Sequence, residues 1–205
     1  MERLSHVAPW VPHVLYTPVI VGAVAIGISR SGVLATLGFF AGGVLLWTLV
    51  EYAIHRFIFH PPQWIEDDTR RIVDGLGSQQ PVMPALPTWR HKFYFLVHGV
   101  HHDYPNDTTR LVMPPSVSIP LAVMFFFFFR SVMGLAAPGW FAGFVTGYLI
   151  YDSVHYLTHA GPMRLALARA LKRRHFMHHY TDSTRNFGVS SSLWDIVLGT
   201  SARKQ

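Results

Sequence analysis

Ten of the thirteen histidines in this 205-residue chain fall into four short clusters. They are His55 and His60 in HRFIFH, His98, His101 and His102 in HGVHH, His155 and His159 in HYLTH, and His175, His178 and His179 in HFMHH. Neutral imidazole is the commonest side-chain metal ligand and suits iron, copper or zinc. Residues at i, i+3 and i+4 share a helix face, so His98, His101 and His102 can converge, as can His175, His178 and His179, and His155 with His159. His55 and His60 are five apart, about 140° around an α-helix. They reach one site only if the helix ends or bends near His60, and Pro61-Pro62 directly follow. One H-x-x-H-H is weak evidence; four clusters together predict a centre of more than one ion. The chain has no cysteine, which excludes disulfides, thiolate ligands and iron–sulfur clusters. His6, His13 and His91 stand alone and are expected at the surface or a membrane boundary.

The elements that must position these residues are apolar. Half of the residues are hydrophobic and 14% are charged, low for a soluble domain. Four segments approach the roughly 20 apolar residues that span a bilayer. They run over about 10–29, 32–54, 116–133 and 138–158. The third contains five consecutive phenylalanines, Phe125 to Phe129. Short turns at Arg30-Ser31-Gly32 and from Gly134 to Gly139 make two helical hairpins. The expected fold is therefore all-α: an integral membrane protein with four transmembrane helices and a helical cap (55–115 and 159–205), one domain over 1–205. Ala23-Val24-Ala25 imitates a signal cleavage site, but no positively charged start precedes it, so the first span is read as a retained anchor.

The hairpins bring every cluster to one side. Of 17 Lys and Arg, only Arg30 and Arg130 belong near the other face. The positive-inside bias makes the histidine side cytoplasmic, in a bacterial inner membrane or, alternatively, the endoplasmic reticulum. Between the spans lie an amphipathic segment, Trp64 to Leu76, with Ile65, Ile72 and Leu76 on one face, a Pro-rich stretch to Pro87, and a basic segment, MRLALARALKRR (163–174), suited to a membrane surface. Both helical segments read equally well as ordinary cap helices.

Each half supplies a hairpin, a histidine pair, an H-x-x-H-H and then a similar tetrapeptide, Asp107-Thr108-Thr109-Arg110 or Asp182-Ser183-Thr184-Arg185. This internal repeat suits two metals, roughly one per half, with ligands free to cross. Asp152 stands one turn before His155; an intramembrane acid is a functional candidate. Its expected role is to accept a hydrogen bond from a ligand imidazole and fix its tautomer. Glu51, one turn before His55, carries the same reading, or that of a boundary residue reaching for water.

The order H-x4-H, H-x2-H-H, H-x3-H, H-x2-H-H resembles the membrane fatty acid hydroxylase superfamily. The segments EYAIHRFIFHPP (51–62), HGVHHDYPNDTTRLVMPP (98–115), YDSVHYLTH (151–159) and HHYTDSTRNFGVSSSLWD (178–195) look most like its fatty acid 2-hydroxylases, which act on sphingolipid acyl chains. Two departures stand out. The chain has no cytochrome b5 domain, and its His60-to-His98 connection is long for the family.

The resemblance implies two iron ions, O2, and hydroxylation at carbon 2 of an acyl chain, free or in a ceramide-like lipid. Zinc binds such sites well in purified protein but has no redox chemistry. Without a flavin, haem or iron–sulfur motif, electrons must come from outside. The expected partners are a lipid substrate, the membrane and a separate acidic electron-transfer protein of cytochrome b5 or ferredoxin type, with no nucleic acid. Two alternatives stay open: a sterol- or carotenoid-type oxidase of the same superfamily, and a bis-histidine haem cytochrome. A zinc hydrolase is a third in principle.

Overall fold

A computed structural model describes residues 6–60, 63–75 and 88–202. The described residues are helical, with no strand among them. The Pro-rich stretch, Pro61-Pro62 and Leu76 lie outside them. The long helices are α1 (Val11–Ser31), α2 (Val33–Ile54), α6 (Pro115–Met133) and α7 (Ala137–Ala160). Between them come α3 (Gln63–Gly75), α4 (Trp89–Tyr94) and α5 (Val100–Asp103); α8 (Ala166–Tyr180) and α9 (Leu193–Val197) follow.

Three helical stretches are long and apolar enough to cross a membrane: Val11–Ser31, Val33–Phe59 and Thr108–Ala160. The last holds α6 and α7, folded back on each other through a short 3-10 turn, Gly134–Ala136. Gly134 makes this turn at φ 55°, where only glycine escapes a Cβ penalty. The first hairpin is tighter than expected: Gly32 alone, at φ 79°, separates α1 from α2. Apolar side chains such as Leu34 (84% exposed) and Phe127 (64%) line the outer faces of these helices, the surface a lipid solvent favours.

Helix α7 is the central element, packing on α1, α2 and α6. Its approach to α2 depends on small residues spaced by four, Gly139, Gly143 and Gly147. A Cβ on Gly143 would lie 1.9 Å from the Phe40 carbonyl oxygen, so any side chain there would force the helices apart. Around this seam Trp47 meets Phe144 edge-on at 5.0 Å, Phe125 meets Phe144 at 4.5 Å, and Phe129 is fully buried. The result fixes α2 against α7, the two helices whose C-terminal ends carry His55 and His155.

The basic segment and the last histidine cluster form one helix, α8, rather than a surface helix followed by a ligand motif. In α3, Ile65 is buried and Ile72 packs on Phe95 and Val100, so its apolar face covers α4 and α5, while Trp64 stays exposed.

Candidate metal centre

All ten clustered histidines meet at one end of the helices, in two groups of five. His55, His60, His98, His102 and His178 form the first; His101, His155, His159, His175 and His179 form the second. Within each group the ligand-capable nitrogens all lie within 4.8 Å of one another. The groups adjoin, and the rings of His102 and His179 stack between them at 4.1 Å.

The chain brings His55 and His60 together by a device the helical wheel does not include. Residues His55–Phe59 form a π-helical turn, closed by the His60 N–H donating to the His55 carbonyl at 3.1 Å. A π-turn inserts one extra residue, so positions five apart stack on one face. The helix then ends at His60 (φ −106°, ψ 88°). A second π-turn, Phe95–Gly99, joins α4 to α5.

The two H-x-x-H-H motifs divide in opposite senses. His98 and His102, four apart, join the first group, while His101 joins the second. His175 and His179 join the second group, while His178 joins the first. Each triplet shares a face, as expected, but faces both sites. The grouping is therefore not one site per half: each half lends one imidazole to the other.

Three of the ten rings are oriented from behind by backbone carbonyls. The Nδ1 of His55 faces the Phe187 carbonyl at 2.5 Å, that of His155 faces Leu111 at 2.8 Å, and that of His178 faces Arg185 at 2.7 Å. A carbonyl can only accept, so each of these Nδ1 atoms carries the proton and each Nε2 presents a lone pair. Those lone pairs point inward at other imidazoles: His178 Nε2 lies 2.9 Å from His60 Nε2, and His155 Nε2 lies 2.9 Å from His101 Nε2. Converging lone pairs repel unless a cation lies among them. Two sets of five neutral nitrogen donors therefore fit two transition-metal ions by donor type and orientation.

Burial favours the uncharged form of six cap imidazoles. It lowers His98, His101, His102 and His175 well below the ordinary value, with neighbouring imidazoles adding to the effect. Burial, then His60, lowers His178 to about 3; His179 is lowered by the same kind of crowding, led by burial. Neutral rings are the metal-binding form.

Asp152 does not accept from an imidazole. Its Oδ1 accepts from the Met113 N–H at 3.2 Å and its Oδ2 from the Tyr148 hydroxyl at 3.0 Å. The imidazole of His155 turns instead to Leu111, two residues before Met113. Asp152 thus holds the segment that orients His155. Glu51 does the same from the other half, and it is buried rather than reaching for water. Its Oε1 accepts from the Val189 and Ser190 N–H groups at 2.7 and 2.8 Å, and its Oε2 from the Ser190 hydroxyl. Phe187, whose carbonyl orients His55, lies two residues before Val189. The repeat is also visible in the tetrapeptides: Asp107 accepts from the Thr109 N–H and hydroxyl and pairs with Arg110, and Asp182 does so with Thr184 and Arg185.

Among residues the sequence did not single out, Asp195 matters most. It is fully buried and accepts from the Phe187 and Gly188 N–H groups, both at 2.9 Å, and from the Thr200 hydroxyl. A buried acid inside FGVSSSLWD was the available signal. Of the solitary histidines, His6 and His13 are exposed and bond to Thr109 and Ser153. His91 is buried, against expectation, because α4 turns it inward to Thr88 at 2.6 Å and against Trp64. None of the three joins either group.

An apolar cavity of about 410 Å³ opens directly beside the histidines, ending on His98, His101 and His155. Ile58, Phe93, Leu96 and Val117 line it and are also exposed at the outer surface, so its mouth is apolar.

The family model described as "Fatty acid hydroxylase" matches residues 80–200. The chain belongs to the fatty acid hydroxylase family. It is 34% identical over 98% of its length to the ceramide very long chain fatty acid hydroxylase SCS7 of Saccharomyces cerevisiae, and spans 47% of that protein. It is 32% identical to the dihydroceramide fatty acyl 2-hydroxylase FAH1 of Arabidopsis thaliana, covering 97% of this chain and 76% of the relative. The fatty acid 2-hydroxylase of Rattus norvegicus is 36% identical over 80% of this chain and 39% of its own. A solved structure titled full length scs7p, with only the hydroxylase domain visible, superposes with a TM-score of 0.82 at 34% identity, covering 98% of this chain and 69% of that one.

Proposed function

We propose that this family member is an O2-dependent lipid hydroxylase that oxidises carbon 2 of a fatty acyl group, free or in a ceramide-like lipid. The observation that carries it is the juxtaposition of ten converging imidazoles with an apolar cavity that ends on three of them. The relatives named above act at this position or on such lipids, by their names. His55, His60, His98, His102 and His178 would hold one iron and His101, His155, His159, His175 and His179 the other. Bound iron would supply the O2 activation that zinc cannot. One oxygen atom enters the C–H bond and the other leaves as water, with two electrons and two protons arriving from a donor.

The chain's own residues do the rest. The apolar walls exclude water and hold the acyl chain, and the mouth between Ile58 and Leu96 admits it sideways from lipid. The Leu111 carbonyl fixes His155, which faces the cavity, and the carbonyls of Phe187 and Arg185 fix His55 and His178 away from it. We read α1, α2, α6 and α7 as four spans of a single domain over 1–205, with the histidine end on the cytoplasmic side. Arg169, Lys172 and Arg173 flank a groove on α8 with Phe176 and Met177, the same helix that carries His175, His178 and His179. A positive groove there suits an acidic electron donor. Arg174 does not belong to this patch, since it turns inward to Asp195 at 3.6 Å.

The test is turnover by iron-loaded protein in lipid nanodiscs, with a chemical reductant and oxygen-18 gas. The reading expects a 2-hydroxy acyl product carrying the gas-derived label. Product labelled from water, or product formed without O2, would refute it.

A further inference from the structure

The apolar space beside the histidines continues deeper into the helices. A second, small cavity of about 30 Å³ lies beyond the first, bounded by Tyr16, Trp47, Phe125, Phe144 and Tyr148 among others. The two cavities share three lining residues: Ile54 of α2, Met113 just before α6, and Leu121 within α6. These three form the partition between them.

The partition and the far wall differ in stiffness. Met113 is unbranched and can change rotamer at little cost. Trp47 has no such freedom. It meets Phe144 and Tyr148 edge-on at 5.0 and 5.5 Å, and it presses so close to α7 that a Cβ on Gly147 would lie 2.5 Å from its own Cβ. Phe125 closes the same wall against Phe144. Along α2, Trp47 stands eight residues before His55, about 12 Å of helix rise.

We infer that this partition and wall measure the length of the acyl chain, with Leu121 and Met113 as a yielding gate and Trp47 as a fixed floor. The inference rests on the hydroxylase reading, which puts carbon 2 at the histidines and the chain in the cavity. A tail longer than the first cavity must displace Met113 to enter the second, and it stops at Trp47. Up to that limit each added methylene strengthens binding about fourfold. Beyond it, a methylene that meets a rigid wall lowers selectivity roughly tenfold or more.

The experiment uses metal-loaded protein in nanodiscs and saturated acyl amides of graded length. It reads both thermal stabilisation by each amide and the length profile of 2-hydroxy products. Leu121→Trp should move both cut-offs to shorter chains, with at least a tenfold fall in the long-to-short selectivity ratio. Trp47→Ala should move them to longer chains. Leu121→Phe and Trp47→Phe are gentler substitutions expected to shift the cut-offs in the same directions, should the larger changes prevent folding. Binding cut-offs that shift without any hydroxylated product would uphold the ruler and sink the hydroxylase reading. Cut-offs that stay at the wild-type length in the folded variants overturn the ruler while leaving the hydroxylase reading intact. The tail then leaves through the lipid-facing mouth.

Discussion

Replacing Glu51 tests whether the centre is assembled from behind. Glu51 touches no imidazole. It accepts the Val189 and Ser190 N–H groups, and these hold the segment whose Phe187 carbonyl orients His55. Glu51→Ala removes the acceptor and leaves the buried Val189 N–H and the part-buried Ser190 N–H unpaired. A buried unpaired group costs about 1–3 kcal/mol, and Ser190, which is nearer water, adds less, so the loss is about 1–4 kcal/mol. A typical domain has only about 5–15 kcal/mol to lose. Glu51→Gln keeps one oxygen in place for both N–H groups, and Ser190 can rotate its hydroxyl to accept from the new amide. Its cost should stay near 1 kcal/mol, as for one ordinary hydrogen bond.

The effect on metal should be local. Losing a partner that orients a ligand typically lowers metal affinity or activity by about 10–100-fold. Metal titration of the detergent-purified protein, read by elemental analysis after dialysis against buffered iron, should give two binding steps for wild type. Glu51→Ala should weaken the step that belongs to the His55 group and leave the other within a factor of about two. Glu51→Gln should fall between. The reasoning fails if Glu51→Ala holds two metals at wild-type affinity. It fails equally if Gln is as damaging as Ala, because then charge rather than acceptor geometry is what matters.

Asp152→Leu should weaken the opposite step, the one belonging to the His155 group, by about 10–100-fold; Asp152→Asn, which keeps one acceptor, should be milder in activity and close to wild type in thermal midpoint. Loss of both metal steps together from Asp152→Leu would contradict the pairing. His178→Ala should deplete the first group and His101→Ala the second, the reverse of what one site per half requires, and elemental analysis with a spectroscopic probe such as cobalt distinguishes the outcomes. Chelation should lower the thermal midpoint, and readdition of iron or zinc should restore it, since metal that binds only the folded chain stabilises it; an unchanged midpoint would separate the metals from folding. Reversing Arg169 and Arg173 to Glu should slow turnover driven by an acidic protein donor, most at low salt, and spare turnover with a small chemical reductant. Equal rates with both reductants would place the donor elsewhere.

Much of the centre was legible because imidazole is a rare, chemically specific residue type. The four clusters, their common end of the bundle and the ends of α2 and α7 all follow from residue type and hydropathy. What stayed hidden was carried by backbone. The acceptors for His55, His155 and His178 are the carbonyls of Phe187, Leu111 and Arg185, and a carbonyl has no signature in the sequence. Phe187 is 132 residues from the ring that it holds. The π-turn at His55 was hidden for the same reason, although Pro61-Pro62 signalled a helix end nearby. The division of each H-x-x-H-H between two groups needs the depth of each helix end, which periodicity does not supply. The seam of Gly139, Gly143 and Gly147 was readable as small residues at every fourth position. The cavities were not, since they depend on how α2, α6 and α7 lean together.

The crossings in this site all run the same way, and together they have a consequence for folding. The N-terminal half lends His101 to the second group, and the C-terminal half lends His178 to the first. Two of the three orienting carbonyls cross as well: Phe187 serves His55, and Leu111 serves His155, while Arg185 serves His178 within the C-terminal half. So do the acids, with Glu51 holding Val189 and Asp152 holding Met113. Neither half alone can present five oriented nitrogens, so neither metal site exists until the halves have docked. Metal affinity is then linked to docking, and free energy gained at either site opposes separation of the halves. A duplicated chain with independent sites could lose one half's metal and keep the other at full strength. Here a defect that loosens the docking itself, such as Gly143→Leu at the α2–α7 seam, should weaken both metal steps at once, in contrast to Glu51→Ala or Asp152→Leu. Retention of one tight step in a folded Gly143→Leu variant would show that the sites are not coupled through the interface.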